Sequence, residues 1–316
     1  MKGLLFREPG KVVLSDLADP TPGEGEVLVA VKAAGICGSD LHGVSDGMYP
    51  YPAVLGHEFA GVTEDGRRVA VNPQVPCRGC GSCLAGASNL CTANNIMGIT
   101  RSGAVAETVV VPADRIVELP DGASWTAGAM AEVVANGIHA LARGGGAAGK
   151  RIGVIGAGPI GLATLMCARH DGAETVSITD LSEARLAVAA RLGADTVDTT
   201  LDEEAFDLVV DAVGTPGTRT ASLAALRRGG TAVWIGVNAP EASLNASMDI
   251  VVGERTVAGS FAYTDEEFVA AVQLAARHSF DWVDTYSLDE SERVFEKLAA
   301  GQSGSIKAHF TMEAQL

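Results

Sequence analysis

The feature that most restricts the fold is a glycine-rich turn placed directly after a short apolar strand. Residues 151–155 form the predicted strand, and a G-x-G-x-x-G turn at 156–161 follows and opens a predicted helix. Gly156 permits the tight turn, Gly158 lets the backbone approach a pyrophosphate, and Gly161 allows the helix to pack closely on the strand. The pattern alone is weak, but its position between a strand and a helix favours a dinucleotide site over a turn without a ligand.

An acidic residue at the end of the next predicted strand indicates which dinucleotide is expected. Asp180 ends the strand predicted over 174–180, about 20 residues beyond the glycines, where a carboxylate accepts hydrogen bonds from the adenosine ribose. The same charge repels a 2′-phosphate, so NAD is favoured over NADP. Arg185 lies nearby in the sequence and softens that preference.

The chain changes character along its length in a way that predicts two domains. Its 316 residues suit two domains of about 150 residues each. Up to about residue 120 the chain is β-rich, with valine-rich strands predicted at 26–33 and 104–111. From about residue 126 strands alternate with helices, which predicts a parallel sheet covered on both faces. The last predicted elements are helices at 265–277 and 291–299 and a strand at 306–310.

Charge and hydropathy restrict the expected partners and location. The formal net charge of −16 disfavours nucleic acid and anionic membranes as partners. No apolar run reaches the roughly 18 residues of a membrane helix. An acidic residue and a proline follow the first residues too soon for the apolar stretch of a signal peptide. We therefore expect a cytoplasmic protein that acts on a small molecule.

Four of the six cysteines lie close together and predict a metal site. They are Cys77, Cys80, Cys83 and Cys91. In a cytoplasmic chain this spacing favours metal over disulfides. Four thiolates around zinc leave no open position, so the site would be structural. A redox or iron–sulfur role is the less favoured alternative, because no neighbouring feature suggests electron transfer.

A second group of metal-ligating residue types is dispersed along the chain. Cys37 offers a thiolate, His57 an imidazole, and Glu58 and Glu132 carboxylates. Each residue alone is weak evidence for a metal site, because an isolated cysteine usually packs in the core and an isolated glutamate usually lies on a solvated surface. Three protein ligands plus water would form a catalytic zinc site, since the open position admits substrate.

Taken together, these motifs resemble those of the zinc-containing medium-chain dehydrogenases. Within that family they are most similar to the polyol branch, which includes sorbitol, threonine and butanediol dehydrogenases. The resemblance covers nearly the whole chain and rests on these segments: 35–42, 56–58, the four-cysteine loop, 132–140, 156–161 and 179–182. It implies an α/β protein in two domains. A GroES-like β-rich catalytic domain would take 1–132 and 263–316, with a structural-zinc lobe at about 73–95. A Rossmann doubly wound parallel-sheet cofactor domain would take 133–262.

The resemblance also implies two zinc ions per chain, one structural and one catalytic. Cys37 and His57 match catalytic ligands, and either Glu58 or Glu132 matches the third. Asp40 matches an acid that orients the His57 ring. Lys307 matches a basic position near the cofactor phosphates and the zinc.

The implied activity is hydride transfer between a secondary alcohol or polyol, or the matching ketone, and NAD(H). In such enzymes the zinc-bound hydroxyl loses its proton through a relay matched here by Ser39 and His42, and the resulting alkoxide expels the hydride. The positions expected to bind the cofactor are Gly156, Gly158, Pro159, Ile160, Gly161, Asp180, Arg185, Val213, Gly236, Val237, Phe261 and Lys307.

Two alternatives stay open beside this interpretation, namely an enone or quinone reductase on the same scaffold and a non-catalytic NAD-binding protein. The first typically lacks the catalytic zinc ligands, and the second leaves the relay residues unexplained. Met48, Tyr49 and Tyr51 predict a partly apolar substrate pocket. The resemblance further implies a homodimer or homotetramer, although the segment between Gly61 and Arg68 is shorter than is usual in the family.

Overall fold

The computed structural model describes residues 1–312, and the chain divides into two compact units. The first is formed by Met1–Glu132 and the chain from Thr264 onward, and the second by Val133–Tyr263. Tyr263, which the sequence prediction assigned to the first domain, falls in the second unit. The first unit resumes at Thr264, which caps the helix that follows, with its hydroxyl accepting a hydrogen bond from the backbone N–H of Glu267.

Strands and helices are numbered along the whole chain. The strands are β1 (Lys2–Glu8), β2 (Lys11–Asp16), β3 (Glu26–Ile36), β4 (Ala53–Val54), β5 (Glu58–Thr63), β6 (Arg68–Val71), β7 (Gln74–Val75), β8 (Asn95–Ile96), β9 (Thr108–Pro112), β10 (Ile116–Glu118), β11 (Arg151–Ile155), β12 (Thr175–Thr179), β13 (Thr196–Asp198), β14 (Phe206–Asp211), β15 (Leu226–Trp234), β16 (Thr256–Gly259), β17 (Val283–Ser287) and β18 (Lys307–Thr311). The helices are α1 (Gly38–Ser45), α2 (Gly81–Leu84), α3 (Trp125–Arg143), α4 (Pro159–His170), α5 (Glu183–Arg191), α6 (Pro216–Ala224), α7 (Asp265–Ala275) and α8 (Ser291–Ala299). Single helical turns occur at Ser88–Leu90, Ala113–Arg115, Ser247–Val252 and Leu288–Glu290.

The first unit is built around one long strand, β3. The main sheet has the order β10-β6-β5-β3-β18-β17, and β9 also pairs with the first half of β3. A smaller sheet, β2-β1-β4, stands beside it. The valine- and alanine-rich sequence of β3 suits this central place, because most of its side chains are buried.

The register of the main sheet aligns three residues that matter for the site. Gly35 of β3 is paired with Glu58 of β5 on one side and with His309 of β18 on the other. Residues directly opposite each other share a face of the sheet, and positions two apart along a strand share it too. Lys307 and His309 therefore lie on the same face as Glu58.

The second unit is a parallel sheet with the strand order β13-β12-β11-β14-β15-β16. All of its strand pairs are parallel. Renumbered within the unit, the order is 3-2-1-4-5-6, which is the doubly wound arrangement that binds dinucleotides. The predicted α/β fold, with a β-rich unit and a doubly wound parallel sheet, is confirmed.

Helix α3 contains the boundary between the units, since residues up to Glu132 belong to the first and residues from Val133 to the second. Most of its residues between 127 and 141 are buried, so its sequence lacks the polar face of an ordinary surface helix. Nothing along residues 1–312 forms a helix that is both long and apolar enough to span a lipid bilayer.

Candidate functional site

Three side chains with different ligand atoms meet at the end of β3 and the start of β5. Cys37 caps α1, Glu58 is the first residue of the neighbouring strand β5, and His57 directly precedes it. One ligand atom from each lies within 4.8 Å of the other two. His57 and Glu58 are only 5% and 1% exposed. A thiolate, an imidazole and a carboxylate that converge in a buried place fit the ligands that zinc takes in catalytic sites.

The carboxylate of Asp40 contacts two members of this group, His57 and Cys37. Its Oδ1 lies 3.3 Å from Nδ1 of His57, and its Oδ2 accepts a 2.9 Å hydrogen bond from the backbone N–H of Cys37. Burial alone would lower the pKa of His57, but the charges and hydrogen bonds of Asp40 and Cys37 raise it well above its ordinary value. Asp40 thus occupies the place of a carboxylate that orients a metal-binding histidine.

Lys307 of β18 is bonded to the carboxylate of Glu58. Its Nζ donates to Oε1 of Glu58 at 2.5 Å and to the carbonyl oxygen of Ile36 at 2.9 Å. Desolvation opposes the charged form, yet Glu58 and Cys37 together raise the pKa of Lys307. The structure therefore places Lys307 beside the group formed by Cys37, His57 and Glu58, while its predicted contact with cofactor phosphates stays a prediction.

Glu132 stands apart from the three converging ligands. The group with atoms within 4.8 Å holds Cys37, His57 and Glu58, and Glu132 does not belong to it. Its negative charge nevertheless contributes to the raised pKa of Lys307, so its carboxylate lies near the same cluster. Of the two carboxylates left open by the sequence, Glu58 is the one that the structure brings together with Cys37 and His57.

The proposed relay residues lie on α1. Ser39 and His42 are three residues apart, so they share a face of the helix, and both are exposed. Tyr49, expected only as a partly apolar pocket wall, packs its ring against the backbone of Gly43. Its buried hydroxyl has no hydrogen-bond partner among the described residues. Burial raises the pKa of Tyr49 to about 12, and the charge of Asp40 adds to the shift. The phenol therefore stays protonated at neutral pH and can donate a hydrogen bond.

Sequence reasoning did not single out His309, which is fully buried on β18. Among residues 1–312, neither of its ring nitrogens has a hydrogen-bond partner. Burial lowers the pKa of His309 to about 3, and the charge of Lys307 acts in the same direction. The available signal was the alternation of the last strand, which puts His309 on the same face as Lys307.

The four clustered cysteines converge as predicted from their spacing. One ligand atom from each of Cys77, Cys80, Cys83 and Cys91 lies within 4.8 Å of the other three. The backbone N–H of Cys77 donates to Sγ of Cys91 at 3.3 Å. Hydrogen bonds from the backbone and side chain of Cys83 lower the pKa of Cys80 to about 6. Four unpaired thiols gathered in this way fit a tetrahedral zinc with no open position.

The glycine turn of the second unit has the geometry that a pyrophosphate requires. Gly156 has a φ of 96°, which favours glycine. A Cβ on Gly161 would overlap the carbonyl oxygen of Gly156, so only glycine lets α4 start this close to β11. A Cβ on Gly158 would meet no atom within 4 Å. The space in front of the α4 N-terminus therefore fits the phosphates of a dinucleotide.

Asp180 is held against this turn. Its Oδ2 accepts a 2.8 Å hydrogen bond from the backbone N–H of Ala157, and its Oδ1 accepts one of 2.9 Å from Ser182. Arg185 Nη1 lies 3.6 Å from Oδ2. The carboxylate is therefore fixed at the end of β12, where an adenosine ribose would be recognised.

The other predicted cofactor positions of the second unit follow the carboxyl ends of its strands. Val213 follows β14, and its side chain lies beside Gly156. Gly236 follows β15, and its backbone closely approaches the backbone of Val213. Val237 and Phe261 are exposed. Ligands of doubly wound sheets bind at this edge.

Comparison with known proteins places these features in a family. Residues 23–121 match the alcohol dehydrogenase GroES-like domain, and residues 159–277 match the zinc-binding dehydrogenase domain. The L-galactonate-5-dehydrogenase of Escherichia coli K12 is 32% identical over 300 residues, which cover 87% of each chain. The sorbitol dehydrogenase of Bacillus subtilis is 30% identical over 331 residues, covering 94% of this chain and 93% of that one. The solved structure of a zinc-binding dehydrogenase from Sinorhizobium meliloti 1021 bound to NADP superposes with a TM-score of 0.91 at 29% identity, covering 98% of both chains.

The fold and these matches define an NAD(P)-dependent, zinc-type oxidoreductase. The chain belongs to the zinc-containing medium-chain dehydrogenase family and, within it, to the polyol branch. The resemblance and the prediction of a dehydrogenase are thereby confirmed.

Proposed function

We propose that this enzyme interconverts a secondary alcohol or polyol and the matching ketone with NAD(H), using a metal held by Cys37, His57 and Glu58. The convergence of these three buried ligands within 4.8 Å is the observation that carries the proposal. The two relatives described above are named for a sugar acid and a polyol, which supports hydroxyl-rich substrates.

A bound zinc ion supplies Lewis-acid chemistry, stabilising negative charge on a substrate oxygen. The chain's own residues prepare the site for it. Asp40 holds the His57 ring and the backbone of Cys37, and Lys307 holds Glu58. Because these partners are buried, the three ligands keep one arrangement and need little reorganisation.

In this proposal, the proton of the substrate hydroxyl is transferred through two side chains of α1. Ser39 offers a hydroxyl that can both accept and donate, and His42 offers an exposed imidazole whose ring nitrogens can accept a proton and donate one to solvent. Their three-residue spacing keeps both on one face of the helix. Tyr49 adds a buried donor near Asp40, suited to a second hydroxyl of a polyol. Glu132, near Lys307, adds negative charge to the cluster.

We propose NAD rather than NADP as the preferred cofactor. The fixed carboxylate of Asp180 supports a ribose hydroxyl and repels a 2′-phosphate. Arg185 lies close enough to neutralise part of this charge, and a relative of known structure was solved with NADP. The preference is therefore expected to be strong but incomplete.

We propose a second, structural zinc at Cys77, Cys80, Cys83 and Cys91, which gives two ions per chain. Free thiols in this number support a reducing compartment such as the cytoplasm.

We also propose a homodimer formed along β16. This strand is the last in the order of the second unit's sheet, so its outer edge has unpaired backbone groups. Met248, Val251 and Val252 precede it and are exposed apolar residues, as is expected at a subunit contact. A homotetramer is the alternative, and sedimentation analysis separates the two.

Isotope transfer tests the activity most sharply. The enzyme is incubated with NAD and secondary alcohols or polyols that carry deuterium on the reacting carbon, with simple enones plus NADH as the comparison. We expect deuterium on the nicotinamide ring of the product and negligible enone reduction. Enone reduction without alcohol oxidation would support the reductase alternative, and no transfer from any alcohol would contradict the proposed activity.

A further inference from the structure

His309 places an imidazole ring where an apolar side chain could be buried at a lower cost in free energy. It is fully buried, and its strand neighbours Ala308 and Phe310 belong to the hydrophobic core. Within the part of the chain that the structure describes, neither Nδ1 nor Nε2 has a hydrogen-bond partner. Buried polar atoms are nearly always paired, and an unpaired one costs stability. A role in packing alone does not explain a histidine here.

Gly35 separates His309 from the metal-ligating carboxylate. A Cβ on Gly35 would overlap Oε2 of Glu58, and it would lie 3.1 Å from Nε2 and Cδ2 of His309. The imidazole edge that contains Nε2 and the carboxylate oxygen Oε2 therefore both face the space above Gly35. No side chain larger than hydrogen fits between them.

Lys307 contacts both carboxylate oxygens of Glu58. Its Nζ donates to Oε1 and makes an ion-pair contact with Oε2, but Oε2 accepts no hydrogen bond from the described residues. This oxygen and a ring nitrogen that also lacks a hydrogen bond thus face the same buried space. An imidazole ring carries a proton on at least one of its two nitrogens, so His309 has an N–H that can be donated.

We propose that His309 is a positioning residue that turns its Nε2–H toward Oε2 of Glu58 when that carboxylate holds a metal. Together with Lys307, which contacts both carboxylate oxygens, it would fix the rotation of the carboxylate. His309 then supports Glu58 as Asp40 supports His57. This inference rests on the proposed role of Glu58 as a metal ligand.

The test compares His309→Leu, which keeps the apolar volume, with His309→Gln, which keeps an N–H donor. Zinc affinity of the Cys37 site is measured by chelator competition, and the visible absorption of the cobalt-substituted protein reports its coordination. We expect His309→Leu to weaken zinc about 10–100-fold and to change the cobalt spectrum, and His309→Gln to restore most of both. The four-cysteine site is expected to keep its metal, and Thr311→Val, at an exposed position of the same strand, is the matched control.

A double mutant keeps the inference separate from effects on folding. In a Glu58→Gln background, His309→Leu should add little further loss of affinity, because the two side chains act through one contact. Wild-type affinity and cobalt spectrum in His309→Leu, or a glutamine variant as defective as the leucine variant, would overturn the inference. If Cys37→Ser releases zinc while His309→Leu does not, only this inference fails. If Cys37→Ser also retains full zinc, the proposed function itself fails.

Discussion

Oδ1 of Asp40 lies 3.3 Å from Nδ1 of His57, and both side chains are buried. The other carboxylate oxygen of Asp40 accepts from the backbone N–H of Cys37. One acidic residue at the start of α1 therefore sets the orientation of two proposed ligands that are 20 residues apart in the sequence. The site is preorganised by this contact rather than by the ligands alone.

Replacement of Asp40 by Asn should selectively weaken the Cys37 metal site. The amide removes the negative charge that faces His57, so we expect zinc affinity to fall about 10–100-fold. Chelator competition measures the affinity, and circular dichroism checks the fold. Asp46→Asn, at an exposed residue just after the same helix, should leave affinity unchanged. Equal affinity in Asp40→Asn and wild type would contradict this role.

Replacement of Asp180 by Ala should shift cofactor preference. Loss of hydrogen bonds between a charged group and the ribose costs about 1.5–3 kcal/mol, so kcat/KM for NAD should fall about 10–100-fold. With the repulsion removed and Arg185 nearby, NADP should be used better than by the wild type. Steady-state kinetics with both cofactors checks this prediction, with Asp198→Asn on the neighbouring strand as control. An unchanged ratio of the two kcat/KM values would exclude Asp180 as the discriminating residue.

Replacement of Cys83 by Ser should remove one metal ion and destabilise the first unit. Three thiolates hold zinc less well than four, and metal-binding free energy is part of folding free energy in such loops. We expect metal content to fall from two ions to one per chain, and the Tm to fall by several degrees. Cys167→Ala is the matched control, because Cys167 is buried in the second unit near the carbonyl oxygen of Val134. Retention of both ions by Cys83→Ser would refute a structural zinc in this loop.

Replacement of Tyr49 by Phe should change the KM for polyols but not the KM for simple alcohols. The ring packing against Gly43 is kept, and only the donor is lost, which is worth about 1 kcal/mol or roughly fivefold. KM for a polyol should therefore rise about fivefold with little change in kcat, while a simple secondary alcohol should be unaffected. Tyr51→Phe is the control, since Tyr51 is exposed and its ring lies against Phe6. An equal loss on both substrates would show that Tyr49 does not recognise a second hydroxyl.

The regular elements could be predicted from the sequence where periodicity and turn signals agree. The strand at 151–155 and the helix at 291–299 match the structure residue for residue. Helix α3 was not predicted, because burial on nearly all sides removes the polar stripe on which helix periodicity depends. The predicted strand at 104–111 begins only at Thr108, since residues 104 and 105 bond irregularly to Leu4, Leu55 and Gly56.

The candidate metal ligands could be proposed from residue type and spacing, but their supporting contacts could not. Cys37 and His57 belong to recognisable motifs, whereas the choice between Glu58 and Glu132 depends on three-dimensional proximity. The alignment of Glu58, Gly35 and His309 arises from the register of three strands distant in sequence. No local pattern encodes that register, so His309 became visible only in the fold.

Stepwise removal and return of zinc tests whether the ion at Cys37, His57 and Glu58 is required for hydride transfer. The enzyme is partly depleted with a chelator, and the metal content per chain and NAD reduction by a polyol are measured on the same samples. We expect loss of that ion to abolish hydride transfer while the four-cysteine ion is still bound, and about one equivalent of zinc per chain to restore the activity. Full activity in protein that retains metal only at the four cysteines would contradict a catalytic role for the first site.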